Sequence, residues 1–471
     1  METPPSAASE RICRFAETLR YEAIPPDVVE KVKLLALDVI GIALAAHSTP
    51  VDAPLRAAAR ALTGRPKGEE GGDLGPASAV GEKRRMPAAG AALLNGALGH
   101  ALDFDDTHTL SVIHTAAPVI PAALAGAEAF GKSGREMLRA AVAGFESEIR
   151  IGLAAPGRFH ARGFHMTAIA GTFGAALAYG LLAGLDGRRL VSALGICGSM
   201  AAGLFEYLED GSPVKALHPG WAAHAGIAAA ALAEGGFGGP PTVIEGRFGL
   251  LRSHLEGEAF DAAAVASGLG ERWETLATAF KPYPCGHVIH AFLDAALRVQ
   301  RERGFAPEAI TSILCHAAPG AIALVLEPAE AKCRPRTEYD AKFSLPYCLG
   351  SVLVRGRCGV GEFEGEAIHD PRVLEVASKV SYRREDGFDF PRFLSGRVEI
   401  RLKDGSTFAA EEKYQRGCPE NPLSVEDLKF KFLDNACRSL SRPRAEALAE
   451  AILGLDSLAS VEPVAGILRN A

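Results

Sequence analysis

The stretch from His100 to His114 concentrates ionisable side chains in a chain that is otherwise rich in small and apolar residues. On both sides, at 86–102 and 116–130, the pattern is typical of buried helices. Burying a charged side chain costs free energy unless the charge is paired or serves a function such as binding or catalysis. We therefore predict that this stretch forms part of an active site. Its ionisable side chains are His100, Asp103, Asp105, Asp106, His108 and His114.

Four further polar clusters stand in apolar surroundings, each beside a Gly- or Pro-containing turn. Lys and His are natural partners of an anionic substrate, and His transfers protons near neutral pH. Each cluster taken alone also fits an ordinary structural role, such as a helix cap or a solvated turn. Their number favours one shared site. The clusters are Gly163–His165, Lys215–Trp221, Lys281–His287 and Tyr339–Tyr347.

Two other classes of function remain open at this point. The aspartates of 103–106 are similar to the pairs that bind Mg²⁺ in all-α terpenoid synthases, which act on diphosphates. A second carboxylate-rich motif is missing, and the lysines at 215 and 281 suit a carboxylate substrate, so we predict no metal. The other class is a non-catalytic helical scaffold. The presence of all five polar clusters argues against it, because a protein that had lost its activity should have lost some of them. Nucleotide-binding glycine motifs are missing as well.

Composition narrows the partners. The 471 residues are 48% hydrophobic and 23% charged, which is ordinary for a globular protein. A net charge of −7 without a basic run predicts no nucleic-acid binding. Nine scattered cysteines without a CxxC pair indicate a reducing compartment, so we expect a cytoplasmic protein. The uncharged segment 166–185 has one stripe of large residues, which favours a buried helix over a membrane span.

The periodicity predicts helix after helix from 86 to 270 and a change of character near 275. Beyond it, β-type runs occur at 310–316 and 397–402, and Asp404-Gly405 after the second run is a hairpin signal. We predict a mainly α fold: a large all-helical domain at 1–275, an inserted smaller α+β lid domain at 276–411, and a C-terminal return to the helical domain at 412–471. Helices that bear on the site are expected at 166–184, 188–204, 219–234 and 281–300.

Taken together and in this order, the clusters resemble the MmgE/PrpD family across nearly the whole chain. That family includes 2-methylcitrate dehydratase, cis-aconitate decarboxylase and iminodisuccinate epimerase. The resemblance implies the fold above, no metal or organic cofactor, and a homodimer. The segments that carry it are 100–108 with His114, 163–165, 215–226, 281–290 and 340–347.

The resemblance also implies roles for individual residues. Lys215 and Lys281 would bind substrate carboxylates, and His114 and His165 would transfer protons. Asp103 would orient a histidine or lysine, and Thr107 and Tyr347 would supply hydrogen bonds, with Tyr347 a candidate proton donor. We add His218 and His287 as substrate-binding candidates.

The sequence departs from the decarboxylase pattern at three points. The gap from Thr107 to His114 is one residue longer, Thr115-Ala116 stands where Pro-Ser is usual, and Gly286 stands where the decarboxylase has a lid histidine. We therefore expect a cofactor-independent lyase or isomerase of a small polycarboxylate, first a hydro-lyase of the 2-methylcitrate dehydratase type. Epimerisation of an aspartate-derived dicarboxylate or decarboxylation of cis-aconitate is the alternative.

Overall fold

The structure is a computed structural model that describes residues 6–64, 72–390 and 392–471. Helices account for 58% of the chain and strands for 8%, so the mainly α prediction is confirmed. The chain divides into two compact units, which we call the helical unit and the mixed unit. The helical unit comprises Met1–Ala101, Asp105–Thr278 and Ser424–Ala471, and the mixed unit comprises Leu102–Phe104 and Ala279–Leu423.

The helical unit consists of helices joined by short connections. The α-helices are Ala8–Thr18, Pro26–His47, Asp52–Thr63, Ala88–His100, Ala116–Ala129, Gly134–Leu153, Arg158–Ala161, Met166–Leu182, Gly187–Cys197, Tyr207–Asp210, Val214–Glu234, Leu250–Leu255, Val425–Ala436, Arg442–Leu453 and Glu462–Arg469. The 3₁₀ turns are Tyr21–Ala23, Ala262–Ala266, Glu274–Ala277 and Leu455–Ser457, and Thr107–His108 and Thr278–Ala279 are two-residue strands.

The helix Val214–Glu234 lies closely against two neighbouring helices. A Cβ atom on Gly220 would lie 2.2 Å from the carbonyl oxygen of Leu93, and one on Gly226 would lie 2.7 Å from the carbonyl oxygen of Thr172. Only glycine permits backbones to approach this closely. The small residues of the sequence therefore fix where this helix, and the side chains on its first turns, must lie.

Two helix boundaries predicted within the helical unit were wrong, and both bear on the site. The helix expected at 219–234 begins at Val214, so Lys215 and His218 lie on it; Pro219 lies inside this helix and only removes the N–H that would bond to Lys215. The helix expected at 188–204 ends at Cys197. Residues 204 and 205 pair instead with the backbone at 163 and 164.

The helix Met166–Leu182 is buried along its whole length, as the stripe of large residues predicted. Within the described residues, we find no helix whose length and apolar character would let it cross a membrane.

The mixed unit contains a four-stranded sheet in the order Val380–Arg384, Ile310–Ala317, Gly396–Leu402, Thr407–Glu412. The first pair is parallel and the other two are antiparallel. The predicted hairpin is confirmed, and Gly405 occupies its turn at φ +88°.

The helices of the mixed unit contribute with the sheet to one apolar core. The α-helices are His290–Arg303, Pro319–Val325, Ala329–Cys333, Glu338–Lys342, Leu345–Arg355 and Pro371–Ala377, and the 3₁₀ turns are His287–Ile289, Pro307–Ala309, Val360–Phe363 and Gly365–His369. The helix expected at 281–300 begins only at His290. Pro282 and Pro284 exclude a helix before it, because each lacks an N–H and restricts the residue that precedes it.

Candidate active site

Five histidines gather in the helical unit, and we call them the imidazole cluster. Ring centroids lie 4.6 Å apart for His100 and His114, 5.6 Å for His100 and His165, 5.1 Å for His165 and His218, and 6.2 Å for His160 and His165. Three predicted site residues, His114, His165 and His218, are thus brought together. His100 and His160 join them without having been predicted.

Asp105 links two rings of the cluster. Its Oδ2 atom lies 2.7 Å from Nδ1 of His100 and 3.4 Å from Nδ1 of His114. The Asp105 and His100 side chains are both fully buried, whereas the His114 side chain keeps 12% of its surface exposed. His114 is therefore the more accessible of the two rings to a ligand.

His165 and His218 form a second linked pair. Their Nδ1 atoms lie 2.8 Å apart, so one ring must donate this hydrogen bond and the other must accept it. The accepting ring is then neutral, with its proton on Nε2.

Four of the five rings are uncharged near neutral pH. Desolvation, joined by the smaller effect of the positive charge of Lys215, lowers the pKa of His100, His160 and His218 to about 4. Desolvation and the neighbouring histidines hold the pKa of His165 well below its usual range. The half-buried Lys215 therefore lies among neutral bases, which is an arrangement suited to an anionic ligand.

Backbone contacts position His114 and His165. The His165 N–H donates to the carbonyl of Gly203 at 3.0 Å, and the Phe205 N–H donates to the carbonyl of Gly163 at 2.9 Å. Gly163 adopts φ +81°, which favours glycine. The His114 N–H donates to Oγ1 of Thr167 at 3.0 Å, which ties it to the helix Met166–Leu182.

A tight turn precedes His114. The His108 N–H donates to the carbonyl of Ile113 at 2.8 Å, and Nδ1 of His108 lies 2.8 Å from Oγ of Ser111. Val112 adopts φ +55°, an unfavourable value for a β-branched residue. This turn contains the additional residue that distinguishes the spacing between Thr107 and His114.

Asp106 and His108 have local roles. The Asp106 carboxylate accepts hydrogen bonds from the Thr115 N–H at 2.8 Å, the Thr115 hydroxyl at 2.7 Å and the Ala116 N–H at 3.0 Å. It thus caps the helix Ala116–Ala129, where a negative charge is favourable. Thr107 differs, because its buried hydroxyl has no hydrogen-bond partner among the described residues.

The remaining predicted residues lie in the mixed unit. Nζ of Lys281 donates to the carbonyl of Asp103 at 3.0 Å and lies 3.2 Å from its carboxylate Oδ2. Both side chains are buried, and Asp103 adopts φ +55°. The half-buried His287 lies with its ring centroid 4.8 Å from that of His290.

Tyr347 is fully buried within the mixed unit. Its hydroxyl donates to the carbonyl of Glu362 and lies 3.3 Å from that of Ala367. Burial raises the pKa of Tyr347 far above its usual range. Its hydroxyl proton is therefore held by the unit's own backbone.

Among the described residues, His100, His114 and His165 each offer one ring nitrogen, and these atoms lie within 4.8 Å of one another. Imidazole ligands suit zinc and other late transition metals, whereas Mg²⁺ requires oxygen ligands. Each aspartate of the 103–106 stretch has at least one partner: Asp105 faces two histidines, Asp106 caps a helix, and Asp103 pairs with a lysine. The predicted absence of metal stays a prediction.

Sequence reasoning missed His100, Asp105 and His160 as members of the site. His100 and Asp105 lie in the stretch that drew attention first, but their spacing could not show that they share a contact. His160 precedes His165 by five residues, a signal that we did not use.

Comparison with known proteins identifies the family. The MmgE/PrpD N-terminal domain matches residues 10–263, and the MmgE/PrpD C-terminal domain matches residues 283–457. The chain is 28% identical to a cis-aconitate decarboxylase of Aspergillus terreus over 485 residues, covering 98% of this chain and 96% of that protein. It is 30% identical to the cis-aconitate decarboxylase of Homo sapiens over 398 residues, covering 82% and 80%. The chain belongs to the MmgE/PrpD family, and it is an enzyme of the lyase type.

Proposed function

We propose that this enzyme removes a proton from the carbon beside a carboxylate in a small di- or tricarboxylate, and that dehydration of a 2-methylcitrate-type hydroxy acid is its reaction. The observation that supports this best is the cluster of neutral imidazoles around Lys215. Neutral histidines accept protons, and a nearby cation stabilises the negative charge that develops on the carboxylate.

His114 is the proposed base, since it is the more accessible ring of the pair that shares Asp105. Its Nε2 takes the C–H proton, the C–O bond to the hydroxyl group breaks, and the resulting His114 imidazolium gives its proton to the departing hydroxide, which leaves as water. His165 stays the second proposed proton-transfer residue. Lys215 binds a substrate carboxylate. The Thr107 hydroxyl, which has no partner within the part of the chain that the structure describes, donates a hydrogen bond to the substrate.

Decarboxylation of cis-aconitate is the second candidate, because several relatives carry that name. The same residues suffice. The C–C bond breaks, CO₂ leaves, and the electron pair that stays on carbon takes a proton from His114, which must enter this reaction as the imidazolium.

The residues of the mixed unit keep their predicted roles as proposals, with one change. Lys281 binds a carboxylate and His287 contacts substrate, while Asp103 holds Lys281 in place, as their hydrogen bond supports. For Tyr347 we now favour a structural role, because its hydroxyl donates within its own unit. Replacing Lys281 with Ala should abolish turnover while circular dichroism shows an intact fold; near-normal turnover would remove Lys281 from the mechanism.

A substrate panel tests the function directly. Citrate, 2-methylcitrate, cis-aconitate and aspartate-derived dicarboxylates are screened for thermal stabilisation, and those that bind are followed by proton NMR in D₂O. We expect 2-methylcitrate to lose water and to exchange the proton beside a carboxylate, with turnover unchanged by excess EDTA. Loss of CO₂ from cis-aconitate alone would establish the second candidate. No turnover of any panel acid would overturn the proposal.

His114→Gln tests the assignment of the base. Loss of a general base lowers kcat on the order of 10²–10⁴-fold. The matched control is His224→Gln on the helix Val214–Glu234, where His224 stacks on Trp221 and contacts the carbonyl of Ala89. The control should keep kcat, and equal losses in both variants would contradict the assignment.

A homodimer remains a prediction from the resemblance. Light scattering of the purified chain should give twice the 49.4 kDa of one chain. A mass of 49.4 kDa at assay concentrations would show a monomer.

A further inference from the structure

Asp105 is shared by two histidines on a single oxygen. Oδ2 lies 2.7 Å from Nδ1 of His100 and 3.4 Å from Nδ1 of His114, while Oδ1 has no partner among the described residues. A carboxylate accepts hydrogen bonds but does not donate them when it is ionised. His100 must therefore carry its proton on Nδ1 to make its hydrogen bond. Nδ1 of His114 has no hydrogen-bond partner among the described residues, and Asp105 Oδ2, at 3.4 Å, is the acceptor that it faces, which favours the same tautomer.

The consequence lies at the opposite edge of each ring. A neutral imidazole with its proton on Nδ1 has a lone pair on Nε2. Nε2 of His100 is buried and has no partner among the described residues. His100 and His114 thus both contact the Asp105 carboxylate and both present an Nε2 lone pair, and their ring centroids are 4.6 Å apart.

We infer that Asp105 is the positioning residue of this site: it fixes the tautomers of His100 and His114 so that both present an unprotonated Nε2 atom. When Nε2 of His114 takes a proton, the ring becomes an imidazolium whose charge faces the Asp105 carboxylate. The contact of 3.4 Å is long, and such contacts shorten when a substrate is bound and charge develops. This inference rests on the proposed role of His114 as the base.

Other charges near His100 and His114 either oppose or favour the protonation of these rings. Lys215 disfavours a second positive charge in the cluster, and its effect reaches His100 and His165. Asp106 attracts the charge of a protonated His114. The neighbouring His160 and His165 are neutral near pH 7 and contribute little. Asp105 is the carboxylate in direct contact with both rings, so it is the group to change.

The first test needs no substrate. Nitrogen-15 NMR of histidine-labelled full-length protein reports which ring nitrogen carries the proton, and the His100→Gln and His114→Gln variants assign the two signals by their loss. We expect both rings with the proton on Nδ1 at neutral pH. A proton on Nε2 of His114 in the unliganded enzyme would overturn the inference.

The second test uses Asp105→Asn and the pH dependence of kcat/KM on 2-methylcitrate, or on cis-aconitate if that acid is the one turned over. Without the carboxylate, kcat should fall on the order of 10²-fold or more, and the acid limb should move to lower pH because the protonated His114 loses its counter-charge. Unchanged turnover and an unmoved acid limb in a folded variant would overturn the inference.

Glu146→Gln is the matched control, because Glu146 is an equally buried carboxylate of the same unit, bonded to Arg150 and Thr275. It should lower stability and leave the acid limb in place; an equal shift in this variant would contradict a specific role for Asp105. The outcomes remain separable, since an inactive His114→Gln with a fully active Asp105→Asn removes the inference and leaves the proposed function standing. A fully active His114→Gln removes the proposed function itself.

Discussion

Asp105 and Glu146 are both fully buried carboxylates of the helical unit, and their surroundings differ sharply. Glu146 accepts hydrogen bonds from the Thr275 N–H at 2.9 Å, the Thr275 hydroxyl at 2.6 Å and the Glu274 N–H at 3.2 Å, and it pairs with Arg150. Asp105 faces two imidazoles with one oxygen and leaves the other without a partner among the described residues.

This difference in hydrogen bonding indicates a structural role for Glu146 and supports the positioning role proposed for Asp105. Glu146 is bonded to a permanent cation and to backbone and hydroxyl donors. The partners of Asp105 are imidazole rings, a type of side chain that can take up a proton, so its environment changes when a proton moves. Incomplete hydrogen bonding in an otherwise well-packed interior therefore marks a candidate functional site.

The largest expected difference between the two regions is their response to acid. The folded-state pKa of His100, His160 and His218 is about 4, below the 6.5 of an unperturbed histidine, so the unfolded chain binds more protons between these values. Their contribution to stability is complete above pH 6.5 and is lost as the pH falls toward 4. We expect a loss of several kcal/mol in the free energy of unfolding over this range, measured by urea unfolding.

Hydrogen exchange localises that effect. Between pH 7 and 5, amides of the helix Ala88–His100 should lose protection before those of the helix Gly134–Leu153, which carries Glu146 and Arg150. Simultaneous loss in both helices would contradict the contrast.

The next effect concerns truncation of each carboxylate. Glu146→Ala leaves the buried Arg150 without its counter-charge and should cost about 3–5 kcal/mol of unfolding free energy. Asp105→Ala removes the partner of neutral rings and should cost less. Chemical denaturation of the two variants at pH 7 compares them, and an equal cost would show that Asp105 is as structural as Glu146.

The smallest effect is expected in the turn before His114. Val112→Gly relieves the strain of φ +55° at a β-branched residue and should raise the unfolding free energy by about 1 kcal/mol. Leu110→Gly in the same turn is the matched control; Leu110 is half exposed and has an ordinary φ, so its replacement should lower stability. A destabilised Val112→Gly would mean that the turn is unstrained.

Much of this fold follows from local sequence patterns. A capping box from Ser133 to Glu136, a local pattern, begins the helix Gly134–Leu153, and Asp404-Gly405 forms the predicted hairpin. Local sequence patterns gave wrong helix boundaries where tertiary contacts determine them. The helix Val214–Glu234 passes through Pro219, because close contacts on its neighbours outweigh one missing hydrogen bond.

The site shows the same division. Residue type and order were enough to nominate His114, His165, Lys215 and His218, which the helical unit brings together. The link through Asp105 could not be read from the sequence, because it depends on a turn that returns the chain from His108 to His114. His160 was missed for a related reason, since its ring reaches the cluster only through the fold around Gly163.

The close contact at Gly220 has a consequence for how this enzyme can vary. Because the helix that carries Lys215 rests backbone against backbone on its neighbour, no side-chain rotamer lies between the two at that point. The placement of Lys215 therefore depends little on substitutions elsewhere in the apolar interior. Core residues can be substituted by others of similar volume without a change in the distance between Lys215 and the histidines.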